Sequence, residues 1–241
     1  MQFLLVIAAL NAMGAGLFRA QFDHPFELLV SAAVCFLLPA LIWEFGKPFL
    51  FKMQRAKNIH RNYLRLKFSD EIFDTLLKKQ MALTIPADGL GIDMGNSGAA
   101  NTLIKICNPY CGPCSKAHQQ IEELLEQHDN LRVKIIFTAL NDDSDKGAIP
   151  ARHLMALAGM GDRRLTKQAL DDWYLAEKKD YTLFAAKYPL NGELAKQGVY
   201  LEAMSSWCKE MKVAQTPTIF YNGYRLPSAF NIDDIKYFLW E

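Results

Sequence analysis

The sequence has no Gly-rich phosphate loop followed by Lys, no His-Glu-x-x-His and no Gly-x-Ser-x-Gly. Nucleotide-dependent, metalloprotease and serine-hydrolase chemistries therefore have no motif to rest on. Internal repeats and low-complexity tracts are absent too. Charge is nearly balanced, at +1 over 241 residues, and from Ser69 onward acidic residues outnumber basic ones, so nucleic acid is not an expected partner. Cysteine is scarce, five in the whole chain, and an odd total leaves at least one unpaired.

What cysteine there is lies close together. Three of the five fall in Cys107-Asn108-Pro109-Tyr110-Cys111-Gly112-Pro113-Cys114, which makes thiol chemistry the first hypothesis. The run before it, Leu103-Ile104-Lys105-Ile106, alternates and is β-branched enough for a strand. Ser115 to Gln127 carries Ala117, Ile121, Leu124 and Leu125 at the spacing of one helical face. The motif thus sits on a strand-to-helix turn, where unpaired N–H groups and the positive end of the helix stabilise an anion. That anion is expected to be the thiolate of Cys111, the nucleophile. Cys114 lies one helical turn on, at an α-carbon separation of about 5 to 6 Å that a disulfide can close, and suits a resolving thiol. Gly112 permits the tight turn, and Pro113 lacks an N–H that would have been unpaired at that position anyway.

Cys111-Gly112-Pro113-Cys114 is the tetrapeptide of thioredoxins, and Thr216-Pro217-Thr218-Ile219-Phe220 resembles the cis-proline strand of the same fold. The resemblance implies that Thr216 and Pro217 face the dithiol and offer backbone hydrogen bonds to a substrate chain. The residues themselves are compatible: Pro217 opens a strand-like run, Asn222-Gly223 is a strong hairpin turn, Tyr224-Arg225-Leu226 can return, and Ile232 to Leu239 is helical in pattern. Arg132 to Phe137 reads as a further strand, followed by roughly 60 residues of helical spacing. That layout, with Gly95-Asn96-Ser97-Gly98-Ala99 ahead of the first long strand, resembles the Dsb-type thiol oxidoreductases, in which helices interrupt a thioredoxin core. One departure is Lys105, which stands where many thioredoxins carry a buried acid. A lysine in a short strand is expected to run its stem over apolar surface and keep its ammonium in water.

The N-terminal region belongs to another solvent class. Met1 to Phe18 and Leu28 to Trp43 contain no charge, with Arg19, Asp23, His24 and Glu27 between them. Two membrane helices are the expected reading, and a buried soluble hairpin or a cleaved signal peptide are the alternatives. Lys47, Lys52, Arg55, Lys57, Arg61, Arg65 and Lys67 follow with no acid between Phe45 and Phe68, a collar suited to anionic lipid headgroups. The expected organisation is α/β: residues 1–46 as two transmembrane helices, 47–85 as a basic helical stalk, and 86–241 as a thioredoxin-like domain with a helical insertion at about 145–212. Ser69 to Leu77 is read as a helix and 86–100, rich in Gly, as a loop.

A hydrophobic pair, a basic stalk and a thioredoxin-like domain together resemble the C-terminal part of bacterial vitamin K epoxide reductase fusions, whose membrane bundle exchanges electrons with its attached domain. The bundle of that family has more helices and its own Cys-x-x-Cys, whereas the apolar stretches here hold only Cys35. The resemblance implies protein thiols and disulfides as substrates, a membrane quinone-linked reductase as electron partner, and no metal or organic cofactor. It places the redox domain on the periplasmic or another extracytoplasmic side, where disulfides persist, although the basic collar argues for the cytoplasm. The Gly-Pro dipeptide resembles reducing thioredoxins near about −270 mV, while the reductase association points to net oxidation of clients.

The same cysteines admit other readings. Cys107, Cys111, Cys114 and His118 could supply a structural zinc site. The Cys-x3-Cys-x2-Cys spacing is also that of radical S-adenosylmethionine iron–sulfur enzymes, although few residues follow it. Cys107 is either a buried small hydrophobe or a thiol that modulates the Cys111–Cys114 bond. Cys208 reads as a packed thiol, His118 as a surface or core histidine, and Trp173, Tyr174, Phe184 and Tyr188 as a helical core or, alternatively, the lining of a peptide-binding groove.

Overall fold

The computed structural model describes residues 25–142 and 144–239. The first apolar stretch, with Arg19, Asp23, His24 and the signal-peptide alternative, lies outside the described residues. The chain divides into two compact units, 1–65 and 66–241. Helix α1 spans Pro25–Lys67 and contains Pro39 and Pro48. Its segment Ala33–Lys67 is long and apolar enough to cross a membrane by length and composition. Among the described residues this is one such helix; the first of the expected pair falls outside them. No break separates the apolar stretch from the basic collar, because Lys, Arg, Met and Gln are good helix formers, and a change of charge density does not end a helix.

Helix α2 (Asp70–Lys78) carries Asp70 and Glu71 in its first turn and Lys78 in its last, the charge order its dipole favours. Its buried residues Phe73 and Leu77 are four apart, hence on one face. Phe73 stacks on Phe238 at 3.7 Å and meets Phe230 edge-on at 4.9 Å. A boundary near Pro86, with 47–85 a stalk, therefore does not describe the packing: α2 shares the core of the second unit.

Strand β1 (Ile92–Gly95) lies within the segment read as a loop. Gly91 precedes it and Gly95 ends it, with φ of 68° and 75°, and a Cβ would stand 2.1 Å from the Ile135 carbonyl oxygen at the first and 2.4 Å from that of Leu131 at the second. These glycines mark close approach to a neighbouring strand, which a Gly-rich composition does not distinguish from a loop.

The centre of the sheet is β2 (Asn101–Cys107), joined through α3 (Gly112–Gln127) to β3 (Leu131–Phe137). The two strands pair in parallel from Asn101↔Leu131 to Cys107↔Phe137, and both are almost wholly buried, the pattern of strands covered on both faces. After β3 come α4 (Ala148–Gly159), α5 (Arg163–Tyr174), α6 (Tyr181–Lys187), a 3₁₀ turn (Glu193–Gln197) and α7 (Gly198–Glu210). Asp162 and Asp180 cap α5 and α6 through their carboxylates. Strand β4 (Thr218–Tyr221) then pairs antiparallel with β2, and β5 (Tyr224–Arg225) closes a hairpin through Asn222 and Gly223, whose φ values of 46° and 85° suit that turn. The sheet order is β1-β3-β2-β4-β5. The expected C-terminal helix is a 3₁₀ helix, Ile232–Phe238, opened by a reciprocal Asn231–Asp234 capping box.

Candidate functional site

The strand-to-helix turn after β2 places Cys111 at the N-cap of α3, where its Sγ accepts the Cys114 N–H at 3.3 Å. The backbone is fixed from the other side as well: Cys111 N–H donates to the Asn108 carbonyl at 3.1 Å, and Tyr110 N–H to the Asn108 side-chain oxygen at 2.9 Å. Pro113 occupies the first turn, where its missing N–H costs nothing. Cys111 is partly exposed, while Cys114 is fully buried. Burial pushes the Cys114 thiol far above the usual thiol range. One sulfur is thus accessible and the other sheltered, with a hydrogen bond between its backbone and the first.

The Cys111 thiol also donates to the Thr216 carbonyl at 3.4 Å. The Thr216–Pro217 peptide is cis. Residues more than 100 positions apart in sequence therefore meet, because β4 pairs directly beside β2. A groove of about 460 Å³ lies beside it, lined by apolar Pro113, Pro217 and Ile219 and by polar Lys116, Gln120 and Arg225.

Beneath the dithiol lies a polar layer that is closed to water. Cys107, Lys105 and His118 are each 0% exposed. Cys107 Sγ is 3.0 Å from the Tyr174 hydroxyl, and Lys105 Nζ is 4.0 Å from the centre of the Tyr174 ring. The expected burial of Cys107 holds. The expectation that Lys105 keeps its ammonium in water fails: β2 is buried from Leu103 to Cys107, Lys105 included, so even this long side chain stays inside. Burial lowers the Lys105 pKa and raises that of Cys107. His118 is a core histidine, its Nε2 2.8 Å from Asp171.

The inserted helices reach the same turn. Trp173 Nε1 donates to the Pro109 carbonyl at 2.9 Å and Lys179 Nζ donates to that carbonyl at 3.0 Å, while Lys179 also donates to Ser115 Oγ at 2.9 Å. Trp173, Tyr174, Phe184 and Tyr188 form the expected core, but Trp173 and Tyr174 face the site too. Neither Trp173 nor Lys179 was singled out for this contact, and no local pattern could have done so, because the partner lies over 60 residues away.

The zinc quartet does not assemble. Cys107 pairs with Tyr174 and His118 with Asp171, and the ligand atoms that gather within 4.8 Å among the described residues are those of His118, Glu122 and Asp171. Lys167 Nζ already sits 2.6 Å from Glu122 and 2.9 Å from Asp171, supplying the positive charge of that cluster. The radical-enzyme reading is overturned by the sheet, which is mixed and five-stranded. Cys208 is buried, its thiol pushed up to about 12, first by burial, and Cys35 is exposed on α1.

Residues 88–240 match the family model described as Thioredoxin. Three solved structures share the fold. The catalytic domain of Proteus mirabilis ScsC superposes with a TM-score of 0.51 at 16% identity, covering 64% of this chain and 88% of its own. Oxidised BdbD from Bacillus subtilis gives 0.52 at 12% identity over 66% and 96%. Proteus mirabilis ScsC in a compact conformation gives 0.52 at 13% over 81% and 95%. No curated protein matches the sequence significantly.

Proposed function

The chain belongs to the thioredoxin family, a thiol–disulfide oxidoreductase in class, and on that premise we propose that Cys111 and Cys114 are its redox dithiol, exchanging disulfides with protein clients. Cys111 forms the mixed disulfide and Cys114 resolves it. The observation that carries this reading is the position of Cys111 Sγ, at the N-terminus of α3 and 3.4 Å from the Thr216 carbonyl. A client chain lying along Thr216 and Pro217 would bring its sulfur to Cys111 and replace the thiol as the partner of that backbone. The adjacent groove, with Ile219, Leu226 and Ile232 beside Lys116, Gln120 and Arg225, suits an extended segment on one side of the client cysteine. Gly112 and Pro113 support the turn, and Cys107 is a candidate modulating thiol. The exchange needs no metal or organic cofactor.

The finer assignment is a membrane-tethered enzyme whose redox domain is extracytoplasmic and whose electron partner is a quinone-linked membrane reductase of the vitamin K epoxide reductase type. Its support is the apolar segment of α1, the basic residues that follow, and the Cys-Asn-Pro-Tyr-Cys-Gly-Pro-Cys run. The experiment is expression of Cys114→Ser in membranes and isolation of mixed disulfides. Client proteins and a multi-helix reductase bound through Cys111 are the expected products. Recovery of clients without any membrane reductase would remove the electron-partner assignment and leave the exchange reaction standing.

A further inference from the structure

From Ser69 to Glu241 the chain carries 19 Lys and Arg against 23 Asp and Glu, a net charge of −4. The surface around the dithiol has the opposite sign. Two grooves border the first turn of α3. The one beside Pro217 holds Lys116 and Arg225. The other, of about 650 Å³, lies toward the insertion and is lined by Tyr110, Gly112 and Leu175 and by Lys116, Lys178 and Lys179. Lys116 therefore belongs to both, and among the described residues Glu177 is the one acid that lines either.

These cations are not neutralised locally. Lys179 donates to two uncharged oxygens, the Pro109 carbonyl and Ser115 Oγ. No carboxylate pairs with Lys116, Lys178 or Arg225 among the described residues, whereas Lys78, Lys134, Lys167 and Lys187 of the same unit are each paired with one. Asp180 and Asp233 follow lining residues in sequence, but both are engaged: Asp180 caps α6, and Asp233 accepts from Gln120 at 2.6 Å. Tyr110 and Leu175, 41% and 51% exposed, add apolar surface to the insertion-side groove.

We propose that the preferred clients carry acidic residues on both sides of the reactive cysteine, with Lys116 reading either flank, Arg225 the flank along Pro217 and Lys178 the flank toward the insertion. This rests on the roles given to Cys111 and Cys114 above. A client extended across Cys111 lays one flank in each groove. A carboxylate in either meets an unpaired cation, while a client Lys or Arg meets like charge. The positive end of α3 acts in the same sense. Complementarity of this kind works mainly on the rate of encounter and on the rejection of wrong partners. The acidic remainder of the domain repels the same segment, so the field favours the orientation that presents the client sulfur to Cys111. An apolar client side chain beside the acid finds Tyr110 and Leu175.

The test is a stopped-flow reaction of the reduced full chain with short peptides whose single cysteine is disulfide-bonded to nitrothiobenzoate and flanked on both sides by Glu or by Lys. Cys111 attacks the peptide sulfur, nitrothiobenzoate leaves with the electron pair, and Cys114 then displaces the peptide thiolate. The dithiol is oxidised, and the peptide disulfide is reduced to two thiols. Each rate constant is divided by that of the same peptide with mercaptoethanol, which removes the peptide's intrinsic reactivity. The Glu peptide is expected to react about tenfold faster than the Lys peptide at about 0.01 M salt, and the ratio should approach one at about 1 M. Lys116→Glu combined with Lys178→Glu should invert it. Because each ratio is taken within one protein, a general loss of activity cancels. A ratio near one or below in the wild-type chain at low salt, a preference that salt does not weaken, or one that survives the double charge reversal would overturn the proposal. Release no faster than from Cys111→Ser with either peptide would instead overturn the dithiol reading.

Discussion

Trp173 Nε1 stands 2.9 Å from the carbonyl oxygen of Pro109, so a helix of the insertion is hydrogen-bonded to the turn that carries the dithiol. Lys179 donates to the same oxygen at 3.0 Å. Trp173→Phe removes one donor and leaves the other. It should cost about 1 to 2 kcal/mol of stability and raise the mobility of the 108–110 turn. Urea denaturation and hydrogen exchange at the Cys111 and Tyr110 amides measure both, and unchanged exchange at those amides would mean that the insertion does not hold the turn.

The exposed and sheltered sulfurs predict unequal variants. Cys111→Ser abolishes turnover, whereas Cys114→Ser leaves a thiol that captures substrate as a stable mixed disulfide. Non-reducing electrophoresis with a disulfide-bonded client distinguishes them. Equal loss with no trapped adduct contradicts the roles assigned here.

Phe73 of α2 stacks on Phe238 and is buried. Phe73→Ala should destabilise the redox unit by about 3 to 5 kcal/mol. A chain starting at residue 66 should accordingly melt cooperatively, while one starting at residue 86 should be markedly less stable. Equal melting temperatures for the two fragments would return α2 to the role of a stalk.

His118 is held below the usual imidazole range, by burial above all, against the opposing effect of its hydrogen bond to the Asp171 carboxylate. A histidine whose folded pKa is depressed makes its contribution above the unfolded value of about 6.5, and that contribution is lost as pH falls through the folded value. Stability should therefore decline on acidification below about pH 6.5, and the decline should be shallower in His118→Gln, with His153, also lowered by burial, supplying the remainder. Urea midpoints across pH 4 to 8 are the measurement, and parallel curves for the two proteins would show that His118 is not a source of the slope.

Much of this site is local and so was legible. The Cys111 turn, β2, α3, β3 and the Asn222–Gly223 hairpin follow from period, turn chemistry and helix-start signals that act within a few residues. The meeting of Cys111 with Thr216 was reached through resemblance, since strand pairing across a hundred residues leaves no local trace. Strand β1 was missed because three residues between glycines carry too little alternation. The burial of Lys105 had a readable signal: it interrupts Leu103-Ile104-Ile106-Cys107, a run apolar enough for a strand covered on both faces, where even a long side chain cannot reach water. Trp173 and Lys179 had none, because their role depends on how the insertion folds back.

The most direct measurement equilibrates the full chain across a series of glutathione redox buffers, quenches with an alkylating agent and maps each cysteine by mass spectrometry. The expected result is a single two-electron transition in which Cys111 and Cys114 disappear together as one disulfide, lost in Cys111→Ser, while Cys107 and Cys208 stay reduced. If Cys111 and Cys114 remain alkylatable at the oxidising end of the series, or if the disulfide that forms joins other cysteines, the dithiol assignment is wrong.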